Sequence, residues 1–212
     1  FSDIDKAGRI DAEYFHPKYD ELTNTIKAFR GGWDSLSNLV NFNDRSFTPK
    51  DEKTYKYIEL TNIADYGEIM GCTVDKGKNL PSRARLKVNT GDVIISSIEG
   101  SIASIAMIDD EYNNALCSTG FHVISSYELN SETLLVILKS IAGQLQLKKG
   151  CSGTILTAIN QDELKKIILP KISKPKQEKI KNKIIKSLKL LHKSKHTLEK
   201  AKDLINISIK KK

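Results

Sequence analysis

The sequence predicts an α+β fold: a mixed-sheet domain over residues 1–172, followed by one long coiled-coil helix over 173–212. Three observations carry this expectation. Between Tyr55 and Ser126 the apolar residues fall in short blocks bounded by Gly and Asn, the pattern of strands. On either side of that stretch the apolar spacing is helical. From Ser173 to Ile209 there is no Gly and no Pro beyond Pro175. Such a run of roughly 35 residues would extend about 50 Å as a helix, too long for a compact domain and suited to a coiled coil.

The elements follow in order. The extended aromatic pair Tyr14-Phe15 before Pro17 suits a segment laid against a core. A helix should come next, with Pro17 in its first turn, Tyr19, Leu22, Ile26 and Phe29 along one face, and Gly31-Gly32 stopping it. Residues 33–42 form a short apolar element of either type. Residues 41–53, with Arg45, Lys50, Lys53 and Pro49, read as an exposed loop. Strands are expected over 55–60 and 85–88, then over 93–98 after a turn at Gly91-Asp92. Gly100 separates 93–98 from a hairpin partner at 102–108, and 121–125 is a further strand. Residues 131–149 have the spacing of one helix, capped by Ser131 and ended by Gly150. A Gly-rich loop, Gly150 to Ile155, leads to Asn160, which could cap a short helix over 161–166.

Within the long helix, Ile184, Leu191, Leu198 and Ile205 recur every seven residues. Three positions after each comes a small side chain: Ser187, Ser194, Ala201 and Ser208. That alternation lets a second helix approach closely, large residues of one over small residues of the other. Leu188, Leu190 and Leu204 widen the stripe, so the helix should touch more than one neighbour. Pro175 fits the first turn, with Ser173 as N-cap.

Composition narrows the function classes. The content is that of a globular protein, no apolar run reaches the length of a membrane span, and no secretory signal opens the chain. Cys72, Cys117 and Cys151 form no metal or redox pair, which suits a reducing, cytoplasmic setting. The net charge of +8 is unevenly placed. Residues 174–212 hold 14 Lys against Glu178, Glu199 and Asp203, a net +11, while the other 173 residues carry 20 basic and 23 acidic side chains, a net −3. A nucleic-acid contact by the globular part would therefore work through local patches rather than a bulk basic field.

Catalytic chemistry is not legible. There is no Gly-rich nucleotide loop, no paired Cys or His at metal spacing and no nucleophile motif, so no catalytic residue, metal or cofactor is predicted. His192 and His196 lie one turn apart without a third ligand.

Read together, several blocks resemble the DNA-specificity (S) subunits of type I restriction–modification systems, in a form with a single target-recognition domain, or the similar specificity regions fused to some methyltransferases. These are Arg9 to Phe15 with Pro17; Gly91 to Ser97; Ala115 to Phe121; Gly153-Thr154-Ile155 with Asn160 and Leu164; Ile168-Leu169-Pro170; and Gln177 to Ile180. No Arg precedes Gly100, and Lys171-Ile172-Ser173 replaces the family's usual second Pro and Leu. The resemblance implies a target-recognition domain on a spacer helix that reads half of a split sequence in double-stranded DNA. It also implies methyltransferase (M) subunits and, through them, restriction (R) subunits as partners. A second specificity half would come from a homodimer or from another domain of the same chain, with the helices pairing antiparallel.

On that reading, Arg45, Lys50 and Lys53 on one loop, and Arg83 and Arg85 on another, are candidates for DNA contact, Arg being the usual reader of guanine. Lys148, Lys149, Ser152 and Thr154 are candidates for phosphate contact beside the Gly-rich loop. The competing reading is a helical protein-assembly scaffold that reads no sequence. It sits less well with loops that keep Arg, Ser and Thr.

Overall fold

The computed structural model describes residues 10–153 and 157–210. In chain order it begins with helix α1 (Lys18–Lys27), strand β1 (Trp33–Ser35), the single turn α2 (Leu36–Leu39) and strand β2 (Asn41–Phe42). Strands β3 (Thr54–Ile58), β4 (Thr73–Lys76), β5 (Ala84–Lys87), β6 (Val93–Ser96), β7 (Ile105–Met107), β8 (Leu116–Ser118) and β9 (Phe121–Ser125) follow. Then come α3 (Ser131–Lys139), α4 (Ile141–Gly150), β10 (Cys151–Ser152), β11 (Ala158–Ile159), α5 (Gln161–Lys166), β12 (Ile168–Pro170) and α6 (Lys174–Lys210).

Strand β6 explains the layering. All four of its residues are buried, because it runs down the middle of an antiparallel sheet of order β2-β9-β6-β7 that is covered on both faces. Val93 and Ile95 point into a core shared with Leu134, Leu135 and Leu138 of α3, whereas Ile94 points the other way, toward Ile58 and Cys117. Those two belong to a second sheet of order β4-β3-β8-β5, in which β3 and β8 run parallel. A helical layer, a first sheet and a second sheet are thus stacked in that order. The doubly covered strand reads as a continuous apolar run for this reason. The outer face of the second sheet is lined by Tyr55, Tyr57, Ala84 and Leu116, with Phe47 and Leu80 packed on them.

The stretch expected as one helix over 131–149 is two. Ser140 leaves the helical conformation (ψ 162°), its hydroxyl donates to the Ile137 carbonyl at 2.6 Å, and it accepts from the Gly143 amide at 3.3 Å. Gly143 permits the bend, since a Cβ there would strike the carbonyl oxygens of Ile137 and Leu138. The cap of α3 is Asn130, which accepts from the Thr133 amide at 2.8 Å. Ser131 instead donates to the Gly91 carbonyl at 2.7 Å, tying the helix to the turn before β6. The stretch 41–53 is also more ordered than an exposed loop: it contains β2, and Ser46 makes a bridge to Leu86. Asn160 caps α5 as expected, accepting from the Glu163 amide at 2.9 Å.

Helix α6 is held at its root by Gln177, which is buried. Its Oε1 accepts from the Asn130 amide at 2.9 Å, and its Nε2 donates to the carbonyls of Glu128 (3.0 Å) and Ile172 (2.8 Å). Three backbone groups would lose their partner in Gln177→Leu. That substitution should cost on the order of 2–3 kcal/mol, against no measurable change for Glu178→Gln at an exposed neighbour. Urea unfolding measures both, and a stable Gln177→Leu variant would remove Gln177 from this role. Five turns further along, Lys195 Nζ lies 2.6 Å from Glu68 Oε2, and His192 Nε2 lies 3.5 Å from Glu68 Oε1. Glu68 is itself buried. Beyond this second anchor Leu198, Leu204, Ile205 and Ile209 are all exposed.

Candidate nucleic-acid interface

Asp92, in the turn before β6, is 2% exposed and organises the segment that follows β2. Its Oδ2 receives the Asn89 amide at 2.7 Å and Arg45 Nη1 at 2.5 Å, while its Oδ1 receives Arg45 Nη2 at 3.2 Å and Asn43 Nδ2 at 3.1 Å. Asn43 also donates to Ser125 Oγ at 3.0 Å. A buried carboxylate so surrounded is compensated by a planar fork and two amides. The fork of Arg45 is engaged inward. The same fork geometry that suits guanine is here spent on Asp92.

With Arg45 anchored, residues 45–47 lie along the free edge of β5. The Phe47 amide donates to the Arg85 carbonyl at 2.7 Å, and the Lys87 amide to the Arg45 carbonyl at 3.0 Å. The chain then folds onto the turn after β4, where the Gly77 amide donates to the Lys53 carbonyl at 2.9 Å and the Lys78 amide to the Asp51 carbonyl at 3.2 Å. Gly77 is required at this crossing, because a Cβ would meet the Lys50 carbonyl. Glu52 lies between Lys76 (2.7 Å) and Lys78 (2.8 Å), which hold its carboxyl below the usual range.

The fold therefore gathers candidates that the sequence placed on two loops. Arg45, Lys50, Lys53, Arg83 and Arg85 all border the second sheet. Arg83 is exposed, its carbonyl accepts from the Thr119 amide at 3.0 Å, and among the described residues its guanidinium makes no hydrogen bond or ion pair. Arg85 is half-buried and reaches back to the Ala84 carbonyl at 3.4 Å. Lys50 is exposed, and Lys53 is exposed with its Nζ 5.6 Å from the centre of the Tyr55 ring. Beside them lies a recess of about 410 Å³ lined by Lys53, Lys56, Lys87, Asn113 and Asn114. Sequence reasoning missed Lys87, Asn113 and Asn114. The Asn113-Asn114 pair was a readable turn signal, and Asn114 takes a positive φ of 64°. Burial raises the Tyr57 hydroxyl above its ordinary value, so it stays a neutral hydrogen-bonding group beside this surface.

Lys148, Lys149 and Ser152 stand elsewhere, near the N-terminal segment. Thr154 lies outside the described residues. Lys148 and Ser152 are exposed. Lys149 Nζ lies 4.9 Å and 5.2 Å from the ring centres of Tyr14 and Tyr19. The helix end at this loop is the C-terminal end of α4, which presents carbonyls. A phosphate here would be held by side chains and loop amides, not by a helix N-terminus. Among the described residues no group of three or more His, Cys, Asp or Glu is placed to hold a metal ion, and no helix is long and apolar enough to cross a membrane.

Comparison with known proteins identifies the architecture. A family model described as the type I restriction modification DNA specificity domain matches residues 35–207. A solved structure described as the HsdS subunit from Thermoanaerobacter tengcongensis is 22% identical, with a TM-score of 0.63, over 80% of this chain and 44% of that one. A chain from work on complex assembly and conformational transition of the type I R-M system is 23% identical, with a TM-score of 0.62, over 76% of this chain and 42% of that one. The chain thus spans less than half the length of these relatives. No curated protein matches the sequence.

Proposed function

Since the chain belongs to the type I restriction modification DNA specificity domain family, we propose that it is a sequence-specific, double-stranded DNA recognition module of such a system. It reads one half of a split target and is itself non-catalytic. Methyltransferase subunits and, through them, restriction subunits act where it binds, in the cytoplasm. A second specificity half, from another copy or another domain, reads the rest of the target.

The observation that carries this reading is the basic, amide-bearing border of the second sheet. There Arg83, whose guanidinium makes no hydrogen bond or ion pair among the described residues, stands at one end of β5, and the recess lined by Lys53, Lys87, Asn113 and Asn114 lies at the other. Guanidinium and amide groups are the side chains that make two-bond contacts with guanine and adenine edges. Lysines beside them suit the backbone phosphates. In this arrangement Arg45 acts through Asp92 as a positioning residue for the segment, while Arg83 and Arg85 face the DNA. Lys148, Lys149, Ser152 and Thr154 remain proposed phosphate contacts.

The test is binding to a duplex selected from a random pool by the assembled complex, and to a scrambled duplex, at several salt concentrations. Arg83→Ala should lose about 1–3 kcal/mol on the selected site and relax preference at one base pair. Lys148→Ala should weaken both duplexes alike and lower the salt dependence by about one counterion. Equal losses on both duplexes for Arg83→Ala would rule it out as a base reader. Selection of no common sequence by the complex would overturn the function.

A further inference from the structure

The recess at the far end of β5 has two walls, and the turn before β6 holds both. On one side Asp92 receives both terminal nitrogens of Arg45 and the Asn43 amide, which fixes the segment that leads to Phe47. On the other side the Thr90 amide donates to Asn113 Oδ1 at 3.2 Å, and the Val88 amide donates to the Ala115 carbonyl at 3.0 Å. Residues 112–115 are thereby pinned as a type II turn. Asn113 has φ −59° and ψ 131°, Asn114 has φ 64°, and the Ala115 amide donates to the Tyr112 carbonyl at 3.0 Å. The rim of the recess is therefore set in place by the domain itself.

Most of the polar groups around it are already engaged. Lys56 donates to the Glu111 carbonyl at 2.8 Å and lies 3.7 Å from the Glu111 carboxylate. Lys53 lies over the Tyr55 ring, and the Tyr55 hydroxyl accepts from the Lys50 amide at 3.1 Å. The carbonyl oxygen of Asn113 is taken by Thr90. Asn114 differs. It is exposed, it lines the recess, and among the described residues neither its Oδ1 nor its Nδ2 has a hydrogen-bond partner. An amide open at both ends matches the major-groove edge of adenine, where N6 donates and N7 accepts. Guanine offers two acceptors there and cytosine one donor, so neither answers both ends. We propose that Asn114 reads an adenine of the target by two hydrogen bonds, with Asn113 as the positioning residue that holds the turn. This rests on the DNA reading above and assigns a base to one of its residues.

The turn itself supplies the test. Glycine adopts a φ of 64° without strain, so Asn114→Gly keeps the turn and deletes only the amide. Duplexes are selected from a random pool by assembled complexes carrying the parent chain, Asn114→Gly or Asn114→Asp, and base frequencies are compared position by position. Thermal unfolding is measured on each chain alongside. Asn114→Gly should melt as the parent does and lose discrimination at one A·T position by about fivefold or more, the lower end for a two-bond contact. The other positions should be kept. Asn114→Asp should move that same position toward cytosine, whose N4 amino group donates to a carboxylate. A parent consensus that Asn114→Gly leaves unchanged, relaxes only at a G·C position, or relaxes at every position alike would overturn the assignment and leave the DNA reading standing. A parent complex that selects no common sequence would overturn that reading, and this assignment with it.

Discussion

Asp92→Ala should lower the stability of the domain by roughly 3 kcal/mol. The carboxylate is 2% exposed and satisfies four groups: both terminal nitrogens of Arg45, the Asn43 amide and the Asn89 backbone amide. Removing one partner of a buried pair costs about 3–5 kcal/mol, because the other charge is left uncompensated. The Arg45 side chain is a third exposed, so water can recover part of that loss, which sets the estimate at the lower end. For a chain of this size a loss of about 3 kcal/mol corresponds to a fall in Tm of roughly 6–12 °C. Arg45→Ala should cost less than Asp92→Ala when each is measured by thermal unfolding. The reason is that Asp92 then keeps its two amide donors. An Asp92→Ala protein within about 1 kcal/mol of the parent would show that the pair is not what anchors the segment.

The same residues show what could be read before the fold was known. Gly91-Asp92 was legible as a turn and residues 93–98 as a buried strand, because Val93, Ile94 and Ile95 leave no polar position that could face water. The long helix was legible from its missing breakers and its heptads, and α6 runs Lys174–Lys210. The break inside 131–149 was not legible. Its apolar spacing continues across Ser140, where the chain leaves the helical conformation, and Gly143 only permits the close approach to the preceding turn.

The candidate surface was half legible. Arg and Lys in loops could be picked out by type, but the partners of Arg45 lie 42 and 47 positions away in sequence. No local pattern reveals that Arg45 points inward to Asp92 while Arg83 points outward. Nor could spacing reveal that residues 45–47 bridge to β5, which is what brings the two loops onto one sheet. Lys148 and Lys149 were chosen together as a pair at a helix end. The fold separates them, sending one to solvent and the other over two tyrosine rings.

Introducing aspartate at Leu198 and Ile205 together should abolish any pairing of α6 with a second helix while leaving the domain folded. The seam divides into two halves with different surroundings. Ile184 and Leu191 are half-buried on the side of α6 that packs against α3 and reaches Lys195, where Glu68 anchors the helix. Leu198 and Ile205 are 57% and 62% exposed, with Ala201 and Ser208 beside them, and Leu204 and Ile209 widen the same stripe. Burying a side chain of this kind is worth roughly 1.5–3 kcal/mol. In a pair of identical helices each substitution acts twice, so the combined loss exceeds about 4 kcal/mol, or a thousandfold in dissociation constant. Sedimentation equilibrium across a wide concentration range measures it, with the parent self-associating and the double variant monomeric. Ile184→Asp supplies the contrast: it should lower the melting temperature of the domain, because that position is covered by the chain's own residues. Leu198→Asp and Ile205→Asp should leave the melting temperature of the monomer unchanged. A parent chain that stays monomeric at every concentration would rule out pairing between copies. The exposed half of the seam would then be a surface for a different helix.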